Sequence, residues 1–191
     1  MENEYLTHDE RIEQFREVVA KHDMLVLSDT AKYDRLISVL DEDYGYFDCP
    51  ASLNHHGNYD GGLFEHSMEV AKQLKDIWRG DKECRSPYLI GLFHDLCKCV
   101  QYNRAPEGTW FWNEDCLWTG HGSLSVMMVQ QIFAELGYVP LSGEELLCIR
   151  WHMGAFDKKE NWGFYTKAVK EYPNVLMTHT ADMLASQVEG K

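Results

Sequence analysis

A polar pair inside an apolar run is the feature that most limits how this chain can fold. The run is LIGLFHDLCKCV, residues 89–100, with His94 and Asp95 at its centre. A segment of this composition is buried on most sides, and a buried ionised carboxylate is costly unless a partner neutralises it. A divalent metal ion is one such partner, and an internal His-Asp hydrogen bond that holds a helical turn is another. This stretch alone leaves both interpretations open.

Two other His-Asp pairs occur in the chain, and the sequence predicts the surface for both. His8-Asp9 opens the first predicted helix, where a carboxylate caps free backbone amides and interacts favourably with the helix dipole. His22-Asp23 lies at the polar end of the same helix. Neither pair has the apolar flanks that surround His94.

Length and composition indicate one globular domain, residues 1–191, with a sizeable core. The chain has 191 residues, of which 45% are hydrophobic. It lacks an apolar run of about eighteen residues, so no membrane-spanning helix is predicted. The first residues, MENEYLTHDERIEQ, do not resemble a signal peptide. The six cysteines include no Cys-x-x-Cys pair, and we expect reduced thiols in a cytoplasmic protein.

The charge balance narrows the range of partners. The formal net charge is −13, and such a surface repels duplex DNA and anionic lipid. A nucleotide held in one local pocket remains compatible with this charge, above all where a metal ion supplies positive charge. The oligomeric state does not follow from the sequence.

Apolar spacing predicts an all-α fold. Seven helices are expected, over residues 9 to about 24, from after 28 or 29 to about 40, from 63 to about 78, and over about 86–99, 122–136, 143–152 and 174–188. Residues 41–62 and 154–164 read as irregular. The helical pattern also breaks at 100–120, where the aromatic stretch Thr109-Trp110-Phe111-Trp112 predicts a short hairpin-like insertion.

Further residues of metal-ligand type lie at core-facing positions on the other predicted helices. They are His66, His121, His152 and Asp182. Each of them alone is more typical of a hydrogen-bonded core residue, but together with His94 and Asp95 they occupy five separate helices, which packing explains poorly. Imidazole and carboxylate ligands suit Fe, Mn, Zn, Ni or Co, and the lack of thiolates argues against a structural zinc site.

These motifs, in this order, resemble the HD superfamily of metal-dependent phosphohydrolases. The resemblance rests on GGLFEHS, LFHDLCK, GHGSLS, RWHMG and HTADMLAS, and it spans about residues 52–187. More narrowly, the chain is similar to the small stand-alone HD hydrolases of bacteria and their phages. The resemblance implies an HD-domain helical bundle with a metal site at its centre, on which the N-terminal helices, 9–41, would pack.

The resemblance also implies roles for individual residues. His66, His94, Asp95 and Asp182 match the core metal ligands of the family. His121 and His152 match positions that bind a second metal in two-metal members, or substrate phosphate when one ion is bound. Lys98 matches a cation common after the dipeptide, although HDLCK replaces the commoner HDIGK and puts Cys97 in place of glycine.

The expected chemistry is attack of an activated water on phosphorus. One or two divalent transition ions would act as Lewis acid and lower the pKa of bound water, and Asp95 would accept its proton. Lys98 would neutralise phosphate charge, as would His55 or His56 in the polar loop NHHGNYDGG. Arg150 is a further candidate for contacting phosphate, or else it pairs with a surface acid.

Two groups of residues near these motifs have open roles. His179 lies about one helical turn before Asp182, and is either its hydrogen-bond partner or a buried core residue. Trp110, Trp112 and Trp118 either stack on a base or pack on the helices.

The leading hypothesis is hydrolysis of a small phosphate ester, that of a nucleotide or short oligonucleotide. If two metals bind, the expected substrate is instead a cyclic or linear phosphodiester. Two functions of a different class also fit the residues: a di-iron oxygenase of HD type, and a non-catalytic module that binds metal or nucleotide. Loss of phosphate release in a folded Asp95→Ala variant would distinguish the enzyme from the module.

Overall fold

Helices make up nearly all regular structure of the chain. The computed structural model describes residues 5–22, 30–118 and 120–188. Within these ranges the helices are α1 (His8–Lys21), α2 (Thr30–Ser38), α3 (Gly62–Ile77), α4 (Ser86–Phe93), α5 (Lys98–Gln101), α6 (His121–Leu136), α7 (Gly143–Trp151), α8 (Trp162–Glu171) and α9 (Asn174–Gln187). A π-helical turn, Val39–Asp43, follows α2, and single 3-10 turns cover Gly154–Phe156 and Lys159–Asn161. The predicted all-α fold is confirmed.

The predicted insertion is a two-stranded hairpin. Strands β1 (Tyr102–Arg104) and β2 (Trp110–Trp112) pair antiparallel, with Asn103 opposite Phe111. Asp60 joins the hairpin to the loop before α3, because its carboxylate accepts hydrogen bonds from the Trp110 indole (2.8 Å) and the Arg104 guanidinium. The hairpin is therefore tied to the segment that carries His55 and His56.

Helix α3 lies at the centre of the bundle and packs against both α4 and α9. The backbones of α3 and α4 approach closely at Gly91, where an added Cβ would lie 2.4 Å from the Cα of Ala71. A similar approach joins α6 to α7, since a Cβ on Gly122 would lie 2.4 Å from the Arg150 carbonyl oxygen. Glycines at these two points let the helices that carry the candidate ligands come together.

The N-terminal helix is capped differently from the prediction. Thr7, not Asp9, is the N-cap of α1, and it forms a capping box with Glu10. Phe15 of α1 enters the aromatic core. The expected helix end at Met24 and the start at Ser28 or Asp29 lie outside the described residues.

The surface prediction for His22 is wrong. Its imidazole is buried and stacks on Tyr88, with ring centroids 3.6 Å apart. The imidazole offers a flat ring as well as a polar edge, and stacking uses the flat ring. His8 is partly exposed and lies between Asp48 and Asp41, which agrees with a surface position.

The predicted helix over 86–99 is interrupted at the polar pair. Helix α4 ends at Phe93, residues 94–97 form turns, and α5 begins at Lys98. The Leu96 and Lys98 amides bond to carbonyls three residues back, while the Cys97 amide donates to the Ser125 hydroxyl at 3.1 Å. The turn that carries Asp95 therefore departs from the hydrogen bonding of a continuous α-helix.

Helix α8 was not predicted. It buries Ala168 and, in part, Tyr165 and Val169 on one side. That spacing is helical, but the shallow burial and the exposed Phe164 weaken the amphipathic pattern. None of the helices in the described part of the chain has the length and apolar character needed to cross a bilayer.

Candidate metal centre

Five helical segments bring the predicted ligands to one place. His66 lies in the first turns of α3, and Asp182 lies in α9 opposite it. His94 and Asp95 follow α4, His121 is the first residue of α6, and His152 follows α7. All six lie in overlapping groups whose ligand atoms are within 4.8 Å of one another.

The first group consists of His66, His94 and Asp182. The Oδ1 atom of Asp182 lies 3.2 Å from Nε2 of His66 and 3.9 Å from Nε2 of His94. Both imidazoles are buried. Two nitrogens and one carboxylate oxygen therefore face a common point.

The second group surrounds Asp95. Its Oδ1 atom lies 2.6 Å from Nε2 of His121 and 3.1 Å from Nε2 of His152. Its Oδ2 atom lies 3.4 Å from Nε2 of His94 and 2.5 Å from Nζ of Lys98. The two oxygens of one carboxylate thus face different imidazoles, and His94 belongs to both groups.

The protonation of these imidazoles fits a metal ion. His94 and His152 place Nδ1 at 2.8 and 2.7 Å from the carbonyl oxygens of Gly91 and Ile149. A carbonyl only accepts, so Nδ1 carries a proton, and Nε2 of the neutral imidazole is left with a lone pair. These Nε2 atoms, and that of His66, are buried without a well-aligned hydrogen bond, although each lies near a carboxylate oxygen. A cation would satisfy the buried nitrogens and the carboxylates together, and an imidazole and carboxylate set suits a divalent transition ion.

Electrostatics keep the carboxylates ionised despite burial. Burial alone would raise the pKa of Asp95, but Lys98 and His94 hold that pKa well below its ordinary value. Burial likewise opposes ionisation of Asp182, but the close contact with His66 Nε2, at 3.2 Å, holds its pKa low. Burial also lowers the pKa of His66 to about 4, which keeps this imidazole neutral and able to act as a ligand.

His121 differs from the other imidazoles. Burial opposes its protonation, but the charge of Asp95 raises its pKa to about 9. Its Nδ1 atom lies 3.2 Å from both Gln101 Oε1 and Cys97 Sγ. Because the Gln101 oxygen only accepts, Nδ1 carries a proton. A cation beside Asp95 would take the place of the proton on His121 Nε2. The contacts of His121 Nδ1 with Gln101 and Cys97 would stay unchanged.

A cavity of about 590 Å³ opens over the centre. His66, Asp95, His121 and Asp182 form part of its lining. The predicted substrate contacts His55, His56 and Lys98 also line it. Burial lowers the pKa of His56, so this side chain meets a ligand as a neutral donor or acceptor.

The structure does not bring Arg150 to the cavity. Its guanidinium donates to Asp157 at 2.7 Å and lies over the Trp151 ring, 3.9 Å from the ring centroid. It is therefore paired with an acid away from the centre, and we leave it out of the proposed substrate contacts. Trp110, Trp112 and Trp118 are also absent from the cavity lining.

Sequence reasoning missed the residues that support the ligands. Gln101 and Cys97 contact His121, and Ser125 bonds the backbone between the ligands and α5. His179 places Nδ1 2.7 Å from the His152 carbonyl oxygen, and so supports His152 instead of Asp182. The sequence contains little that indicates these supporting contacts. A glutamine beside a predicted ligand helix, Gln101, is the sole hint, because the other contacts join segments that are far apart in the sequence.

A comparison with protein families agrees with this geometry. The profile described as HD domain matches residues 63–185, which is more than half of the chain. This chain belongs to the HD-domain family. HD domains bind divalent metals, and the matched range contains all six ligand-type residues of the centre.

Curated relatives of this HD-domain chain cover parts of it. It is 33% identical over 78 residues to the dihydroneopterin 2',3'-cyclic phosphate phosphodiesterase of Methanocaldococcus jannaschii, covering 37% of this chain and 31% of that protein. It is 29% identical over 122 residues to the 3'-5' exoribonuclease YhaM of Listeria monocytogenes, covering 62% of this chain and 37% of that protein. The chain spans about a third of the length of these relatives. No solved structure matches it. Family and relatives support a metal-dependent hydrolase acting on phosphate esters.

Proposed function

We propose that this HD domain is a metal-dependent phosphohydrolase that cleaves a phosphate ester of a nucleotide or short oligonucleotide. The observation that carries the proposal is the set of buried Nε2 atoms of His66, His94 and His152, which lie beside carboxylates without a well-aligned hydrogen bond. This arrangement suits a cation and lies under a cavity of about 590 Å³, a size typical of small-molecule sites. The names of both relatives support phosphate-ester chemistry.

The roles of the side chains follow from their positions. His66, His94 and Asp182 would hold the ion, which supplies a Lewis acid and a more acidic bound water. Asp95 orients the attacking water and accepts its proton. The Nζ atom of Lys98 lies 2.5 Å from Asp95 Oδ2, and Lys98 also lines the cavity. Its ammonium group neutralises charge on the phosphate. His55 and His56 contact the rest of the phosphate from the opposite loop.

The test is hydrolysis by protein loaded separately with Mn²⁺, Fe²⁺, Ni²⁺, Co²⁺ or Zn²⁺. The substrates are nucleoside monophosphates, 2',3'-cyclic nucleotides and a short oligonucleotide, with products separated by chromatography. Asp95→Ala should abolish hydrolysis, and Lys98→Gln should lower kcat at least tenfold. Asp34→Asn, which alters an exposed carboxylate on α2 paired with Arg16, is the matched control.

Two outcomes would overturn the proposal. The first is full activity in folded Asp95→Ala protein, which would place the chemistry elsewhere. The second is no turnover of any substrate with any of the five metals. Nucleotide binding without turnover would then favour a binding module, whereas oxygen consumption by an iron-loaded protein would favour an oxygenase.

Hydrolysis of a cyclic or linear phosphodiester is the second candidate function, and one observation favours it. Asp95 directs Oδ1 to His121 and His152 and Oδ2 to His94, so its two oxygens would be available to two separate ions if two were held. Elemental analysis of the loaded protein separates the two candidates, since two ions per chain favour the diester and one favours the monoester.

A further inference from the structure

We propose that the apolar side of the cavity, formed by Met153, Phe156 and Met183, binds a flat aromatic heterocycle of the substrate, with Phe156 as the stacking residue. This inference rests on the proposed function and names the part of the substrate that lies away from the phosphate. The chemistry required is that of a nucleobase or a pterin.

The lining of the cavity combines charged and apolar side chains. Asp95, Lys98 and Asp182 supply charge close to the imidazoles of His66 and His94. The apolar side comes from the segment after α7, which contributes Met153 and Phe156, and from α9, which contributes Met183. A ligand that fills both sides carries an anionic group at one end and an apolar face at the other.

Phe156 has the exposure expected of a stacking residue. Its side chain is 69% exposed, although it lines a cavity. One ring neighbour is His179, with centroids 6.2 Å apart and planes at 55°, so most of the phenyl surface meets solvent. Stacking of a heterocycle would bury that surface, and bases stack on aromatic side chains through faces that every base has.

The backbone that carries Phe156 is held close to the metal centre. Phe156 donates its amide to the Met153 carbonyl at 2.9 Å, which closes a single turn. Gly154 in this turn has φ +53°, and an added Cβ would lie 2.6 Å from the His179 ring. His179 in turn bonds the His152 carbonyl oxygen at 2.7 Å. The segment that carries Phe156 is thus linked through the His179 imidazole to the segment that carries His152.

The two methionines of the lining can pack against aromatic rings of different shape. Thioether side chains are flexible and polarisable, and they make favourable contacts with aromatic rings. Met153 and Met183 therefore adapt to heterocycles of different shape while Phe156 supplies a flat surface. Ser186 and Gln187 also line the cavity, and their polar groups can bond the ring edge.

The first experiment measures ring binding without hydrolysis. Protein carrying ¹³C-methyl methionine is titrated with adenosine, guanosine, cytidine, uridine and neopterin, and with ribose as the ring-free control. We expect ring-current shifts of the Met153 and Met183 methyl signals with at least one heterocycle and none with ribose. The ring that acts at the lowest concentration identifies the source as nucleoside or pterin.

Variants then assign the shifts to stacking. Phe156→Ala should weaken the binding of the ring about 5- to 100-fold, the range expected for loss of one base-aromatic stack. Phe156→Trp should restore it. Phe164→Ala is the matched control, because Phe164 is 62% exposed on α8 but does not line the cavity.

Kinetics separate this inference from the proposed function. In Phe156→Ala, KM for the best nucleotide should rise by the same factor, while KM for ribose 5-phosphate stays within twofold of wild type. Silent methyl signals with all five heterocycles, or equal affinity in Phe156→Ala, would overturn ring binding even in an active hydrolase. Methyl shifts in a protein that hydrolyses nothing would support the ring site and overturn the proposed function.

Discussion

At the scale of single residues, the hydrogen bonds of the imidazoles contain the most chemical information. His94 and His152 each point Nδ1 at a carbonyl three residues earlier, and so present Nε2 to the centre. These bonds are local, which means that each ligand is oriented by its own helix end. His121 instead depends on side chains from the neighbouring segment, Gln101 and Cys97.

Gln101→Leu tests this dependence. The change removes the acceptor of the His121 Nδ1 proton, and loss of such a support commonly weakens metal affinity about 10- to 100-fold. In protein loaded with two ions, we expect the ion beside His121 to be lost on dialysis while the ion beside His66 and Asp182 is retained. Elemental analysis after dialysis checks this. Gln131→Leu, an exposed glutamine of α6 bonded to Glu135, is the control, and equal metal content in both variants would contradict the prediction.

At the scale of elements, one buried carboxylate joins the starts of two helices. Glu145 of α7 accepts bonds from Arg85 (2.9 Å) and from the Ser86 hydroxyl (2.9 Å) at the start of α4. It also accepts from the Ser142 amide at 2.7 Å, completing the capping box of its own helix. The helices that precede His94 and His152, α4 and α7, are therefore held together at their N-terminal ends, away from these histidines.

Glu145→Gln should destabilise the fold in a pH-dependent way. Burial alone would raise the pKa of Glu145, but the bonds from Arg85 and Ser142 outweigh it and hold the pKa below its ordinary value of 4.5. The ionised form therefore stabilises the fold above about pH 4.5, and this contribution is lost as the pH falls through the folded-state pKa. We expect a loss of roughly 2 kcal/mol near pH 7, since a neutral amide replaces the carboxylate that accepts charge-assisted hydrogen bonds from Arg85. Urea unfolding of both proteins from pH 3 to pH 7 measures it, and a difference that does not shrink in acid would contradict the assignment.

Gly91→Ala tests the contact between α3 and α4. The added methyl would collide with Ala71 backbone, and forced separation of packed helices costs about 1–3 kcal/mol. Gly163→Ala in α8 is the matched control, because no atom lies within 4 Å of its added Cβ. We expect a lower Tm for Gly91→Ala and an unchanged or higher one for Gly163→Ala. Equal Tm values for the two variants would contradict the close approach.

The sequence predicted elements well where apolar periodicity was strong. Helices α6 and α7 and the hairpin lie close to their predicted places, because each has a clear start signal and a clear pattern. The break at Asp95 was not predictable, since it depends on Ser125, a residue of another helix that bonds the Cys97 amide. The ligand residue types were visible in the sequence, whereas the supports Gln101 and His179 depend on contacts between distant segments.

At the scale of the whole molecule, excess negative charge opposes compaction. The net charge is −13, and self-repulsion of this kind is reduced by salt within a screening length of about 10 Å at 0.1 M. We expect the Tm of metal-free protein to rise between 10 and 300 mM KCl on the order of a few degrees. Calorimetry with chelator present checks this, and choline chloride at equal ionic strength should act alike. A Tm that falls with both salts would show that attractive ion pairs outweigh the repulsion.

The approach of Gly91 to Ala71 has a consequence for anyone redesigning this protein. His66 and His94 lie on helices whose spacing is set by main-chain contact, so their separation does not depend on which apolar side chains fill the surrounding interior. The lining around Met153, Phe156 and Met183 comes from other segments. An engineer can therefore randomise the binding wall for new substrates and treat the histidine pair as a fixed frame of reference.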